Sequence, residues 1–410
     1  MALGVHGFHS FWTKPQIAKR GKVSMQDFEV LTMALSACAY RRLGEQMTLV
    51  TDTPGAKFLQ LVKGEQCYTN VLTHLDRVTG VNPTIYWGAG KTLAYELFPV
   101  PCLSIDLDAV VWKMPLYDEL TTDLVVLHED PADWDCYSSS AELYGSLGFK
   151  SPYWNWSVAP FNVAFLLFNN AFLRSAYTSL SQMFMENSSR FFSREALDRK
   201  SKSIVKNGRH PKVFEQIFAE QQLLSMVAHR FHAKVGAVSS IDFTVDHLKE
   251  NPFVTHLWGI KSVYRTNQYI KDALVAGLLN KLGTEYPEAL PLCRYVEGVY
   301  KRANRGIKGH FEEGMFEFVP SISTSSAPFG RERLLDILEV TGEVEVADVC
   351  FGFRRPMRKG QNVVIGESIY LKEKASCVLK RGSHIVTVNC PDHPLLDDRG
   401  FAKTKVIRKV

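Results

Sequence analysis

"LSIDLDAVVWKMP", residues 103–115, carries an apolar run directly into two aspartates separated by a single leucine. A short apolar run bounded by charge reads as a buried strand. Upstream, "GVHGFHSFW" (4–12) is β-like, and "QMTLVTD" (46–52) is a second short strand that ends on Asp52. Between them, "DFEVLTMALSACAYRRLG" (27–44) has helical apolar spacing and stops at basic residues followed by glycine. A helix from about Pro54, a strand near Val71 and a helix over 84–98 lead to Cys102. Strands alternating with helices predict an α/β sheet with parallel strands, whose ligands sit beyond the C-terminal strand ends. Asp106 and Asp108 fall at such an end.

Further along, "DLVVLHED" (123–130) and "NVAFLLFNN" (162–170) supply two more buried strands, with the aromatic loop "SPYWNWSVAPFN" before the second. Residues 171–231 are mainly helical, interrupted by a basic segment, 193–212, that reads as an exposed loop or a lid. Helices are expected over 266–282 and 287–304, and "SISTSSAPFG" (321–330) is the linker candidate. After a short helix, 331–340, β-rich runs continue to the C-terminus. The resulting division is 1–265, 266–335 and 336–410.

Charge is unevenly spread. The last 70 residues hold 13 Lys+Arg against 8 Asp+Glu, leaving 35 of each over residues 1–340. The whole net charge of +5 therefore lies in those last 70 residues. No apolar run reaches the roughly 20 residues of a membrane span. The N-terminus lacks the basic and apolar regions of a secretory signal, and the eight scattered cysteines show no CxxC, so a cytoplasmic protein with reduced thiols is expected.

Two carboxylates at one strand end repel each other unless a cation or proton lies between them. Oxygen ligands suit Mg²⁺ or Mn²⁺, with phosphate oxygens completing the shell. Solvated surface aspartates are the bland alternative. A second chemical alternative is a phosphatase, since "SIDLDAV" resembles the first motif of the haloacid dehalogenases, with Asp106 as nucleophile, Asp108 as acid and Asp397 and Asp398 in the place of the late acidic pair. A third is a noncatalytic protein whose basic C-terminal module binds an anionic polymer.

The order strand, D-x-D, strand, "FNVAFLLFNN", "EQ", "HLWGIK" resembles the GT-A-fold glycosyltransferases, especially the glycogenin-like retaining group. The opening "HSFWTKP" also resembles a group of uncharacterised bacterial and phage chains. The resemblance covers roughly residues 5–265. It implies a GT-A-like, Rossmann-type mixed sheet flanked by helices, followed here by the helical extension and the C-terminal β-rich module.

It further implies Asp106, Asp108 and His256 as ligands of Mn²⁺ (or Mg²⁺), with a UDP-sugar as the favoured donor. Lys91 and Lys261 would touch phosphate, Gly259 would lie beside the donor, and Asn162 would contact sugar hydroxyls. Glu220 and Gln221 stand where the family carries the side chain nearest the reacting carbon. "HLWGIKSV" lacks one residue before the lysine and has Ser-Val in place of the usual Pro-Trp. Asp52 reads either as a hydrogen-bond acceptor for base or ribose or as a helix N-cap. If the reaction inverted, Glu129 or Asp130 would be the base. Tyr153, Trp154 and Trp156 either stack on a ligand or pack locally. The acceptor is open among protein, glycan and small molecule, with DNA or RNA a minority choice.

Overall fold

The computed structural model describes residues 4–114, 121–131, 149, 153–191, 214–238, 253–257, 268–304, 312–313, 315–319, 334–347, 354–360, 362–364, 368–381, 383–391, 397 and 399–403. In chain order the first elements are β1 (His6–Phe11), α1 (Lys14–Arg20), β2 (Val23–Gln26), α2 (Asp27–Arg42), β3 (Met47–Thr51), α3 (Thr53–Leu61), β4 (Asn70–Leu72), α4 (Ala89–Ala94), β5 (Cys102–Ile105), β6 (Ala109–Val111), β7 (Leu124–Glu129) and β8 (Phe161–Phe168). Then follow α5 (Ala171–Phe191), α6 (Phe214–Ile217), a π-helical turn (Phe218–Gln222), α7 (Leu223–Arg230), β9 (Val235–Ala237), β10 (Val254–His256), α8 (Gln268–Glu285) and α9 (Leu290–Asn304). Ten further strands, from β11 (Glu312–Glu313) onward, are given with the sheets they form.

Seven strands make the central sheet in the order β4-β3-β1-β5-β8-β7-β9. All run in one direction except β8, which is antiparallel to both β5 and β7. The sheet is therefore mixed and flanked by helices, consistent with a GT-A-like fold. The parallel strands expected from strand and helix alternation are present, and β8 is the antiparallel member that makes the sheet mixed. A parallel return needs a crossover, usually helical, and the described residues before β8, 153–160, are turn and loop.

Side chains alternate across the sheet as the two-residue repeat requires. Leu103, Ile105, Val125, Leu127, Phe165 and Leu167 join α2, α8 and α9 in one core. Cys102, Leu124, Val126, Leu166 and Phe168 join α4, α5 and α7 in the other. The near-continuous apolar strands thus bury both faces. The helices after residue 266 share the core of the sheet through Leu274, Leu278, Val296 and Val299, so the expected division at 265/266 does not coincide with a break in packing.

One close approach fixes α2 against the sheet. A Cβ on Gly7 of β1 would stand 2.3 Å from the Tyr40 ring. Tyr40 is fully buried and its hydroxyl donates to the Val5 carbonyl at 2.9 Å, so it has little room to move. Gly7→Ala is expected to destabilise the protein by about 1–3 kcal/mol, read as a fall in urea midpoint with an unchanged slope.

Two expected helices differ. Over 84–98 only α4 and a 3₁₀ turn, Tyr95–Leu97, are helical. Asn82 Oδ1 accepts from Thr84 N at 3.0 Å and from Thr84 Oγ1 at 2.8 Å, a local turn that competes with helix, and α4 starts only after Gly88. Residues expected as a short helix at 331–340 instead form β13 (Leu334–Thr341). Leu335 and Ile337 are buried and Asp336 is exposed, a period of two rewarded by antiparallel neighbours on both sides.

The chain then folds back. β12 (Phe316–Val319) pairs with β11 and runs parallel to β2, with Phe316 opposite Val23. Beyond it, β13, β16 (Asn362–Val364), β18 (Ser376–Arg381) and β19 (His384–Asn389) form one four-stranded sheet, and β14 (Val344–Ala347), β15 (Arg354–Pro356), β17 (Ser368–Lys372) and β20 (Phe401–Lys403) form another. Leu335, Val346, Ile369 and Leu379, drawn from both sheets, share one core. The β-rich C-terminal module is a sandwich. The linker candidate at 321–330 and the basic segment at 193–212 lie outside the described residues.

Candidate active site

The first strand lies inside the sheet, with β3 and β4 laid down on one side and β5 on the other. Strand order therefore reverses between β1 and β5, and a crevice opens where their C-terminal ends part. A cleft of about 900 Å³ lies there, lined by Phe11 and Trp12 from the end of β1 and by Ile105, Asp106 and Asp108 from the end of β5. Lys91 and Glu220 also line it.

Asp106 and Asp108 sit on the turn between β5 and β6. The turn is held by Asp106 N donating to the Ala164 carbonyl and Ala109 N donating to the Asp106 carbonyl, both at 2.9 Å. β6 pairs antiparallel with β10, placing His256 opposite Ala109. Trp112 Nε1 donates to Thr255 Oγ1 at 2.8 Å, and Leu257 N donates to the Asp108 carbonyl at 3.1 Å. This short ladder brings together residues about 150 positions apart. One ligand atom from each of Asp106, Asp108 and His256 lies within 4.8 Å of the others, and His256 Nε2 is 3.6 Å from Asp108 Oδ2.

The donor set fits a divalent cation. An octahedral ion with ligands at about 2.1 Å spaces them by about 3 Å when adjacent and about 4 Å when opposite, so small side-chain rotations close these three onto one ion. Carboxylates with an imidazole suit Mn²⁺ slightly better than Mg²⁺.

Lys91 lies beneath this set with only 7 % of its surface exposed. Its ammonium donates to Asp106 Oδ1 at 2.6 Å and to the Val163 carbonyl at 2.7 Å, and stands 3.0 Å from Glu220 Oε1. Burial pulls its pKa down, but the Asp106 and Glu220 carboxylates outweigh burial and hold it above the usual lysine range. With three N–H groups and three partners, Lys91 is committed as the counter-ion between two carboxylates. It is not extended into the cleft toward a phosphate.

The family model described as "Family of unknown function (DUF6734)" matches residues 6–290. The chain belongs to DUF6734. No curated protein sequence matches it. Among solved structures it is similar to mouse xyloside xylosyltransferase 1 in its apo form, at 12 % identity and a TM-score of 0.28 over 58 % of this chain and 85 % of that one. It is also similar to the glycosyltransferase GlyE of Streptococcus pneumoniae TIGR4, at 11 % identity and 0.27 over 62 % and 54 % of the two chains. Neither likeness is close enough to assign an activity.

The other expected site residues of this DUF6734 chain fall in different places. Asp52 is the N-cap of α3, accepting from Gly55 N at 3.0 Å, Thr13 N at 2.9 Å and Thr13 Oγ1 at 2.7 Å. It is 4 % exposed and does not line the cleft, so of its two readings the structure shows the cap. Asn162, on β8, is 7 % exposed and accepts from Ala164 N at 3.1 Å. Neither Asn162 nor Gln221 lines the cleft. Gly259 and Lys261 lie outside the described residues.

The aromatic loop packs locally. Trp156 stacks on Phe218 with ring centroids 5.4 Å apart, Trp154 contacts Phe149, and only Tyr153 is well exposed. Asp130 is buried against His128 at 2.9 Å, and Glu129 is exposed; neither lines the cleft. Asp397, the proposed late acidic residue of a phosphatase, is ion-paired with Arg354 in the C-terminal sandwich and accepts from Phe401 N at 2.9 Å.

Sequence reasoning passed over His9, which is fully buried on β1. Its Nδ1 lies 2.7 Å from the Tyr68 hydroxyl and its Nε2 lies 3.0 Å from Ser36 Oγ. Burial drives its pKa down to about 3, against a weaker upward pull from Asp108. The folded protein therefore holds His9 neutral, while the unfolded chain takes up a proton below about pH 6.5. Its contribution to stability is complete above that pH and is lost as pH falls toward 3. Between pH 6.5 and 5 the loss from this residue is about 2 kcal/mol. His9→Gln should unfold with a correspondingly shallower acid dependence in urea titrations at pH 7 and 5.

Proposed function

We propose that this protein is a metal-dependent glycosyltransferase that moves a sugar from a nucleoside diphosphate, with a UDP-sugar favoured, to an acceptor with retention of configuration. The observation that carries the reading is the meeting of Asp106, Asp108 and His256 at the switch point of the sheet, beside a cleft of about 900 Å³. Motifs far apart in the sequence converge there in the order the glycogenin-like resemblance implies.

Breaking the bond between the anomeric carbon and the phosphate oxygen builds negative charge on the departing diphosphate and positive charge on the carbon. A divalent cation, Mn²⁺ ahead of Mg²⁺, supplies charge stabilisation to the diphosphate when bound. Asp106, Asp108 and His256 are the residues that would hold it. Lys91 fixes the Asp106 and Glu220 carboxylates in the wall of the cleft. The Glu220 carboxylate, aimed at the cleft, stabilises the positive charge that develops on the sugar. In the retaining mode the acceptor hydroxyl forms the new bond and passes its proton to the departing diphosphate, so no separate base is required.

The six described cysteines are free thiols, which fits a reducing, cytoplasmic setting. Among the described residues no helix is long and apolar enough to cross a membrane. In the C-terminal sandwich, Arg354 and Arg399 are paired with Glu345, and Lys372 with Glu343. That pairing lowers the positive charge presented to a polyanion and favours a protein, glycan or small-molecule acceptor over nucleic acid.

The test is a thermal-shift screen of UDP-, GDP- and CDP-sugars with and without Mn²⁺, followed by assay of nucleoside diphosphate release. A tenfold excess of donor over Kd should stabilise the fold by about 1.4 kcal/mol, with the shift dependent on the metal. Hydrolysis of p-nitrophenyl phosphate lost with Asp106→Asn, in place of donor stabilisation, would transfer the site to phosphatase chemistry.

A further inference from the structure

Glu220 does not stand on regular helix. It lies in the middle of the π-helical turn, where Leu223 N reaches back five residues to the Phe218 carbonyl. Such turns displace one residue from the helical repeat and often mark functional positions. Two side chains of α5 serve the carbonyls of this turn. The Tyr177 hydroxyl donates to the Glu220 carbonyl at 2.9 Å, and Ser181 Oγ donates to the Ala219 carbonyl at 2.8 Å.

The side chain of Glu220 is clamped from two directions. On one side is Lys91, 3.0 Å from Oε1. On the other is Gln216, one turn earlier and 2 % exposed, whose Nε2 donates to Glu220 Oε2 at 3.0 Å. The Gln216 Oε1 in turn accepts from Gly88 N at 3.0 Å, at the start of α4. A Cβ on Gly88 would stand 2.4 Å from Gln216 Nε2, so the glycine is what leaves room for the amide. The charged groups facing the Gln216 and Glu220 pair are Lys91 from α4 and, beyond it, Asp106. Glu215, on the same segment, is also buried.

We infer that Gln216 is a positioning residue for the transfer proposed above. It locks the Glu220 carboxylate between the Gly88 backbone and Lys91 so that the carboxylate faces the cleft. The inference rests on that functional reading. An amide suits the task because it offers an acceptor to the backbone N–H and a donor to the carboxylate at once. A carboxylate at 216 would keep the first bond and turn the second into repulsion.

Three variants test it. Gln216→Glu retains length, Gln216→Met retains bulk without either bond, and Gly88→Ala displaces the amide without altering it. With Mn²⁺ and the nucleotide sugar that the wild type consumes, kcat at pH 8 should fall about ten- to a hundredfold in all three, the cost of a lost hydrogen bond to a charged group. Donor KM should stay within about twofold. At pH 5.5, Gln216→Glu should regain most of that loss relative to wild type, because the introduced carboxyl is protonated and donates again, while Gln216→Met should not.

Wild-type kcat in the variants, a rise in KM that tracks the fall in kcat, or identical pH profiles for Gln216→Glu and Gln216→Met would overturn the inference. If the wild type consumes no nucleotide sugar, the functional reading fails by itself, and the clamp is judged from melting temperature. Gln216→Glu should then melt below Gln216→Met at pH 8 and at or above it at pH 5.5. Absence of that crossing overturns the inference independently of turnover.

Discussion

Asp108→Ala will abolish the metal-dependent thermal shift and lower nucleoside diphosphate release by about a thousandfold, while the fold survives. The size follows from the several kcal/mol that a bound cation contributes to a developing diphosphate charge, at about 1.4 kcal/mol per factor of ten. Survival of the fold follows from the backbone. The ladder contacts at this turn are made by the Asp106 N–H, the Ala109 N–H and the Asp108 carbonyl, none of which the substitution removes. The Asp108 side chain is only 3.6 Å from His256 Nε2, so loss of its oxygens opens one side of the ligand set. Isothermal titration with Mn²⁺ and a release assay measure the two effects separately. Retained Mn²⁺ affinity, or turnover within tenfold of wild type, would remove this aspartate from the metal site.

The second large effect is on stability. Lys91→Met should cost about 3 kcal/mol or more, the penalty for deleting one partner of a buried ion pair and leaving its carboxylates without a cation. Glu220 is 16 % exposed and Asp106 33 %, so water relieves Asp106 more than Glu220, which keeps the expectation at the low end of that range. Methionine fills most of the lysine stem, separating the charge effect from a cavity. Urea unfolding at pH 7 gives the number. A loss under 1 kcal/mol would mean that the two carboxylates are solvated without the lysine's help.

Much of the sheet was legible because its strands obey rules visible in a single chain. Apolar runs such as "LSI" and "FLLF" bounded by charge or asparagine mark strands buried on both faces, and Arg41, Arg42 and Gly44 mark the end of α2. The direction of β8 was not legible, since direction is set by the connection and not by the residues of the strand. β13 was misread because "LLDILEV" satisfies both a helical and a strand period, and only its antiparallel neighbours decide.

At the site, the meeting of the acidic pair with His256 was expected from residue type and order. Gln216 and the Val163 carbonyl were not. The spacing of four between Gln216 and Glu220 was a usable signal for the first; a backbone carbonyl leaves none. Asp52 shows the opposite case, where a residue at a strand end, of the right type for ligand binding, is taken up by the helix that follows it.

The return of β12 to β2 carries the cleft wall past the end of the matched region. The DUF6734 match stops at residue 290, yet Glu317, on β12, forms part of the cleft wall and accepts from Ser24 Oγ at 2.8 Å. The acidic turn and its histidine thus lie within the shared region, while one flank of the opening is supplied from outside it. A chain trimmed to the matched residues would therefore keep the acidic turn and His256 and lose Glu317 from the rim of the cleft.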